Sequence, residues 1–183
     1  MAILKLVPYE RSPHLDAVYD NVRAINNEIN YITRPDGAIH HLCGGFNVLL
    51  STPENMIEQF LTVNRWHNRD CDSHIPIRHL VLSLDPYSFI EERVTPHQLA
   101  LIADRFCSHE FGDEYQVIYA IHEDTANLHV HILVNTVNLR TGLLLPWNYT
   151  KESQLYEWMS LILKLNNYWK GKYPINTLHM YYN

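Results

Sequence analysis

The chain contains no apolar run of about 18 residues, the length a helix needs to cross a bilayer, so no transmembrane helix is expected. Its first residues, Met1-Ala2-Ile3-Leu4-Lys5, lack the basic start and long apolar core of a secretory signal, and the chain is read as cytoplasmic. Cysteine is sparse. Cys43, Cys71 and Cys107 are widely spaced and odd in number, and without a Cys-x-x-Cys pair they offer neither a zinc knot nor a redox motif, so they are expected to be reduced and structural. Basic residues are outnumbered, 14 Lys and Arg against 20 Asp and Glu, for a formal charge of -6. That balance argues against a generic nucleic-acid coat, which draws on many phosphate contacts, but leaves room for a narrow basic groove from Arg23, Arg34, Arg65, Arg69, Arg78 and Arg140. No repeat, linker or low-complexity tract divides the sequence, and 183 residues with 46% hydrophobic content suit a single buried core, read as one domain over residues 1–183.

Hydrophobic spacing and turn residues outline the elements. Residues 2–8 read as a strand stopped by Pro8, and Ser12-Pro13 opens a helix expected over residues 13–28. Tyr31-Ile32-Thr33-Arg34-Pro35-Asp36-Gly37 breaks that pattern and leaves Tyr31 near a helix-to-loop junction. Residues 44–50 form a short extended segment, and Ser51-Thr52-Pro53-Glu54 starts a helix carrying Met56, Ile57, Phe60, Leu61 and Trp66 to about residue 68. Residues 78–84 alternate as a strand ended by Asp85-Pro86, and Thr95-Pro96 opens a helix with Leu99, Ile102, Ala103 and Phe106 on one face. Two strand-like runs, 115–121 and 128–137, flank the polar loop Glu123 to Asn127 as a hairpin. A brief pairing at 143–145 and an amphipathic helix over 150–168 complete the chain. Strands separated by whole helices, with one hairpin, predict an α+β domain with a mainly antiparallel central sheet covered by helices.

The chemistry concentrates in the hairpin. His129 and His131 are two apart on a strand and share a face, and the turn brings His122 level with His129. Three neutral imidazoles are ligands for divalent first-row metals and leave coordination positions open for water or substrate. They also leave the ion's positive charge intact, which suits an anionic guest such as a phosphodiester. Asp124 is close enough in sequence to orient a ligand ring or to accept a proton. A His-x-His pair on a strand is by itself more often an ordinary half-buried pair, so the metal reading rests on the addition of His122 and Asp124. His14, His67, His74, His97, His109 and His179 have no partner at ligand spacing and are read as surface or packing residues. By default Tyr31 is a packing residue, one of 12 tyrosines, and Ser83 an ordinary strand serine.

In order along the chain, however, His122-x-Asp124-x-x-x-x-His129-x-His131-x-x-x-Asn135 resembles the third motif of P-class plasmid mobilisation relaxases, in the histidine-hydrophobe-histidine endonuclease superfamily. Asn30-Tyr31-Ile32-Thr33 resembles their first motif, which supplies the nucleophilic tyrosine. His79-Leu80-Val81-Leu82-Ser83-Leu84-Asp85-Pro86 resembles the second, whose serine contacts DNA, so that the likeness covers about residues 20–145. The resemblance implies a two-layer relaxase-like fold and a transesterification on single-stranded DNA at an origin of transfer, through a 5′-phosphotyrosine intermediate. It implies catalytic roles for Tyr31 and Asp124, a metal held by His122, His129 and His131, and DNA contacts from Ser83 and Asn135, to which the groove reading adds Arg34 and Arg78.

A free phenol, with a pKa of about 10, is ionised to only about one part in a thousand at neutral pH, so an attacking tyrosine needs a cation or base beside it. The implied cofactor is a divalent ion, magnesium or manganese in use, with zinc or nickel suited to the same ligands in crystals. The implied partners are the single-stranded origin, a small DNA-binding accessory protein and a coupling protein. Two rivals stand beside this reading: a rolling-circle replication initiator or transposase of the same superfamily, and a noncatalytic metal- or DNA-binding module. The order of the motifs, tyrosine first and histidine pair last, favours the relaxase.

Overall fold

A computed structural model describes residues 2–6, 21–84 and 94–165. Along the chain these form β1 (Ala2–Leu6), α1 (Val22–Ile32), β2 (Ala38–Phe46), α2 (Pro53–Trp66), β3 (Ile77–Leu84), α3 (Pro96–Glu110), β4 (Val117–His122), β5 (Leu128–Asn135) and α4 (Tyr149–Leu165). The strands make one sheet in the order β1-β3-β5-β4-β2, and every neighbouring pair is antiparallel. The α+β reading therefore holds. No helix among the described residues is long and apolar enough to cross a membrane.

Alternation along the central strands sends side chains into two separate cores. Val117, Tyr119 and Ile121 of β4 with Val130, Ile132 and Val134 of β5 pack against Leu99, Ile102 and Phe106 of α3 and Leu155, Met159 and Ile162 of α4. The intervening Ile118, Ala120 and Leu133 pack against Ala24, Ile25, Ile29 and Ile32 of α1 and Met56 and Phe60 of α2. Helices thus cover both faces, and the domain has three layers rather than the two expected. The reason is visible in β5, whose residues from Val130 to Asn135 are all buried. A strand buried on both sides requires a helical layer on each. Each fully buried Leu, Ile or Phe contributes about 1.5–3 kcal/mol relative to its exposed state, so both layers are needed to hold the hairpin in place.

Local chemistry explains the boundaries. Thr95 and Gln98 form a reciprocal capping box at the start of α3, the Thr95 hydroxyl accepting from the Gln98 amide and the Gln98 side chain accepting from the Thr95 amide. Asn21 caps α1 by accepting from the Arg23 amide. Where a helix was expected over 13–28, α1 starts at Val22, behind the extended Asn21, and runs to Ile32, because Ala24, Ile25, Ile29 and Ile32 continue one apolar face until Pro35 restricts Arg34; residues 13–20 lie outside the described ones. Strand β2 begins at Ala38, six residues before the extended segment expected at 44–50. A register shift between Ala38 and Cys43 disrupts the alternation that would have marked it. Pro8, Ser12-Pro13, Asp85-Pro86 and residues 166–168, all used in the sequence reading, also lie outside the described residues, whereas the brief pairing near 143–145 is present as a Val137 to Leu144 bridge.

Candidate metal centre

The β4–β5 register sets His122 directly opposite His129, and His131 follows two residues along on the same face. The ring centroids of His122 and His131 are 4.5 Å apart, those of His129 and His131 5.0 Å, and those of His122 and His129 5.4 Å. One nitrogen from each ring lies within 4.8 Å of the other two, so the three buried histidines form a cluster that could hold a metal ion.

Which nitrogens face the cluster follows from what the opposite nitrogens do. His122 Nε2 donates to the Ile32 carbonyl at 2.8 Å, and so satisfies one of the orphan acceptors at the end of α1. Its Nδ1 is buried and has no hydrogen-bond partner. His129 Nδ1 donates to the Asn127 carbonyl at 2.9 Å, which leaves Nε2 as the lone-pair nitrogen. His131 Nδ1 meets His79 Nε2 at 2.8 Å, and its Nε2 is again buried without a partner. Buried polar atoms with no partner are rare, since each forfeits its hydration for nothing. Two such atoms on one close-set triad fit a cation as the missing partner. The third nitrogen, His129 Nε2, faces Asp124 Oδ1 at 3.6 Å; two lone-pair atoms facing each other are favourable only with a proton or cation between them.

Burial keeps the His131 and His122 rings in the ligand-competent neutral form. Burial first, then the neighbouring His79, His122 and His129 and the Arg34 guanidinium, push the His131 pKa down to about 2. His122 is lowered by burial as well, with Arg34 and His129 acting in the same direction against the bond to Ile32 and the charge of Asp124.

Tyr31 stands on the last turn of α1, 44% exposed, with its ring edge-on to His131 at a centroid distance of 5.3 Å and 6.2 Å from His122. The helix is held in that relation from two sides: the His122 ring grips the Ile32 carbonyl, and Thr33 closes the helix by donating to Ile29. Arg34 lies with its guanidinium 4.2 Å from the Tyr31 ring centroid, donates to the Tyr31 carbonyl at 2.8 Å and pairs with Asp124. Asp124, read from the sequence as orienting a ligand ring or accepting a proton, lies on the ligand side of His129, tied to Arg34. The bonds that fix the three rings come instead from Ile32, Asn127 and His79.

The other predicted residues separate. Ser83 is half-buried on β3 directly opposite His129, on the face of the cluster. Arg78 belongs to the other face of β3, with its guanidinium 4.8 Å from the Trp147 ring centroid, away from the histidines. Arg65 pairs with Glu58, and Arg69 donates to the Gly142 carbonyl. Asn135 is 0% exposed, and its amide donates to the Phe60 carbonyl and to Gln116 while accepting from the Val137 amide. The structure therefore gives Asn135 an internal role in place of a surface DNA contact. Asn135→Ala should destabilise the fold by about 2–3 kcal/mol, because it strands several buried polar partners at once; a urea midpoint shift measures this. A folded Asn135→Ala protein of unchanged stability would contradict that assignment.

Two residues had no role in the sequence reading. His79 Nδ1 lies 3.0 Å from Glu28 Oε2, and both side chains are almost wholly buried beside His131. Only the alternation of β3, which puts His79 and Ser83 on one face, hinted at this.

The family model for the nuclease domain of MobA/VirD2-like relaxases matches residues 31–167, beginning at Tyr31 and taking in all three clustered histidines. The chain belongs to this relaxase family. Over 84 residues the relaxase domain is 31% identical to the group II intron-interrupted relaxase LtrB of Lactococcus lactis subsp. cremoris strain MG1363, and it matches LtrB of Lactococcus lactis subsp. cremoris to the same degree. That match takes in 43% of this chain and 14% of LtrB, so the relaxase domain corresponds to a small part of those relatives.

Proposed function

We propose that this domain nicks and rejoins one strand of DNA at an origin of transfer, with Tyr31 as the nucleophile. The observation that carries the reading is the position of Tyr31, an exposed phenol on a braced helix end beside a triad of lone-pair nitrogens. In the proposed reaction the Tyr31 oxygen attacks the scissile phosphorus and forms a Tyr–O–P bond, while the P–O3′ bond breaks. The phenolic proton passes to the departing 3′ oxygen, and the 5′ phosphate stays on the protein. One phosphate ester replaces another, so the step is close to balanced and reverses to rejoin the strand without a nucleotide cofactor.

The residues divide the work. His122, His129 and His131 would hold a divalent cation, magnesium or manganese in use, which when bound would draw charge from the non-bridging phosphate oxygens. Arg34 stacks on the nucleophile's ring and fixes the helix end to the β4–β5 loop through Asp124, which keeps the phenol in register with the cluster. Ser83, opposite His129, contacts the DNA strand. The partners are the single-stranded origin, a small DNA-binding accessory protein and a coupling protein.

Incubation with a labelled single-stranded origin oligonucleotide and Mn2+ should give a denaturation-resistant protein–DNA band, and mass spectrometry of its peptides should find the nucleotide on Tyr31. Attachment to another tyrosine, or cleavage with no adduct, would overturn the assignment.

A further inference from the structure

We propose that Glu28 and His79 are positioning residues that set the tautomer and orientation of His131 at the cation centre, and so join the tyrosine-bearing helix to the metal ligands. The inference rests on reading His122, His129 and His131 as cation ligands. Its basis is a continuous line of contacts from α1 through β3 to β5: Glu28 Oε2 to His79 Nδ1 at 3.0 Å, then His79 Nε2 to His131 Nδ1 at 2.8 Å. All three side chains are buried, Glu28 8%, His79 6% and His131 5% exposed, so water does not substitute for any of these contacts.

The order of donors along the line follows from Glu28. A carboxylate only accepts, so the His79 proton sits on Nδ1 and its Nε2 presents a lone pair. That lone pair accepts from His131 Nδ1–H, and the lone pair of His131 is therefore on Nε2, the buried atom that has no other partner and faces the triad. Were the line reversed, His131 would point a buried N–H at the cluster and could not ligate there. The other two ligand rings are fixed by backbone carbonyls, Ile32 for His122 and Asn127 for His129. His131 is fixed by the side chain of a neighbouring strand, and the chain of bonds behind it ends on α1, one helical turn before Tyr31. The same helix thus delivers the phenol and anchors a ligand, so displacement of α1 would disturb both together.

Partners that orient a histidine ligand are worth about 10–100-fold in metal affinity. The test uses the whole chain, with Zn2+ as the probe, titrated by calorimetry, and long-range 1H–15N imidazole spectra of the metal-free protein to read the tautomers. In the wild type, His131 should show the Nδ1–H form. His79→Ala should mix the tautomers and weaken Zn2+ by about 10–100-fold, and Glu28→Leu by about 10-fold, while Glu28→Gln, which keeps an acceptor oxygen, stays within about 3-fold of wild type. If His79→Ala does not fold, Glu28→Leu against Glu28→Gln decides the question from the other end of the line. An Nε2–H form on wild-type His131, or Glu28→Leu affinity equal to that of Glu28→Gln, would overturn the proposal. A wild-type protein that shows the Nδ1–H form yet binds no Zn2+ would overturn the cation centre itself while the relay stands.

Discussion

Tyr31→Phe should form no denaturation-resistant adduct with the origin oligonucleotide and should nick it at least about 10³-fold more slowly than the wild type, with binding changed by less than about 3-fold. The size of the effect follows from the chemistry. The substitution removes a single oxygen, and in the proposed reaction that oxygen makes the bond to phosphorus. Water reaching the same phosphate lacks the orientation that α1 gives the phenol, an advantage worth orders of magnitude in an effectively intramolecular attack. The alternative explanation, loss of the fold, is weak here. The Tyr31 side chain is 44% exposed, and removal of an exposed hydroxyl shifts stability by no more than about 0.5 kcal/mol. Thermal melting should therefore be unchanged while the adduct disappears. Nicking by Tyr31→Phe at the wild-type rate would assign the nucleophile elsewhere.

Loss of a ligand should be the next largest effect. His129→Ala should weaken divalent cation binding by more than about 100-fold, because residues that merely orient a ligand are already worth about 10–100-fold. Adduct yield should fall in parallel at subsaturating Mn2+, and a chelator should abolish the wild-type adduct until Mn2+ is returned. His129 is a better probe than His131, since its ring is anchored within its own loop, by the Asn127 carbonyl and the Thr125 hydroxyl, whereas His131 terminates the line from Glu28 and His79. A His129→Ala protein that binds cation and forms adduct normally would remove the triad from the mechanism.

Much of this was legible before any coordinates. The helix start at Thr95-Pro96, the helix end just before Arg34-Pro35 and the His-x-His alternation are local signals, acting over four residues or fewer, and the structure contains each of them. The hairpin was legible for the same reason: two apolar runs joined by five polar residues have one short way to pair, and that pairing sets His122 opposite His129. Where alternation failed, as at the register shift in β2, the strand start was misread by six residues.

Asn135 shows where such reading ends. Its place in the motif suggested a surface contact, yet its neighbours Phe60 and Gln116 come from α2 and the residue just before β4, and only their convergence makes the amide a buried tie. Arg78 and His79 are adjacent in sequence but on opposite faces of the sheet, and nothing local tells which of them meets the cluster. The sequence by itself determined which imidazoles could ligate a cation and the hairpin that displays them, because residue type and short-range periodicity are properties of the chain. Only the tertiary structure decided that β3 lies beside β5 and that α1 packs over them, which brings Glu28, His79, Tyr31 and Arg34 to the same cluster. Those placements are set by the burial of apolar surface from distant segments, and burial of that kind leaves no mark in any short stretch of residues.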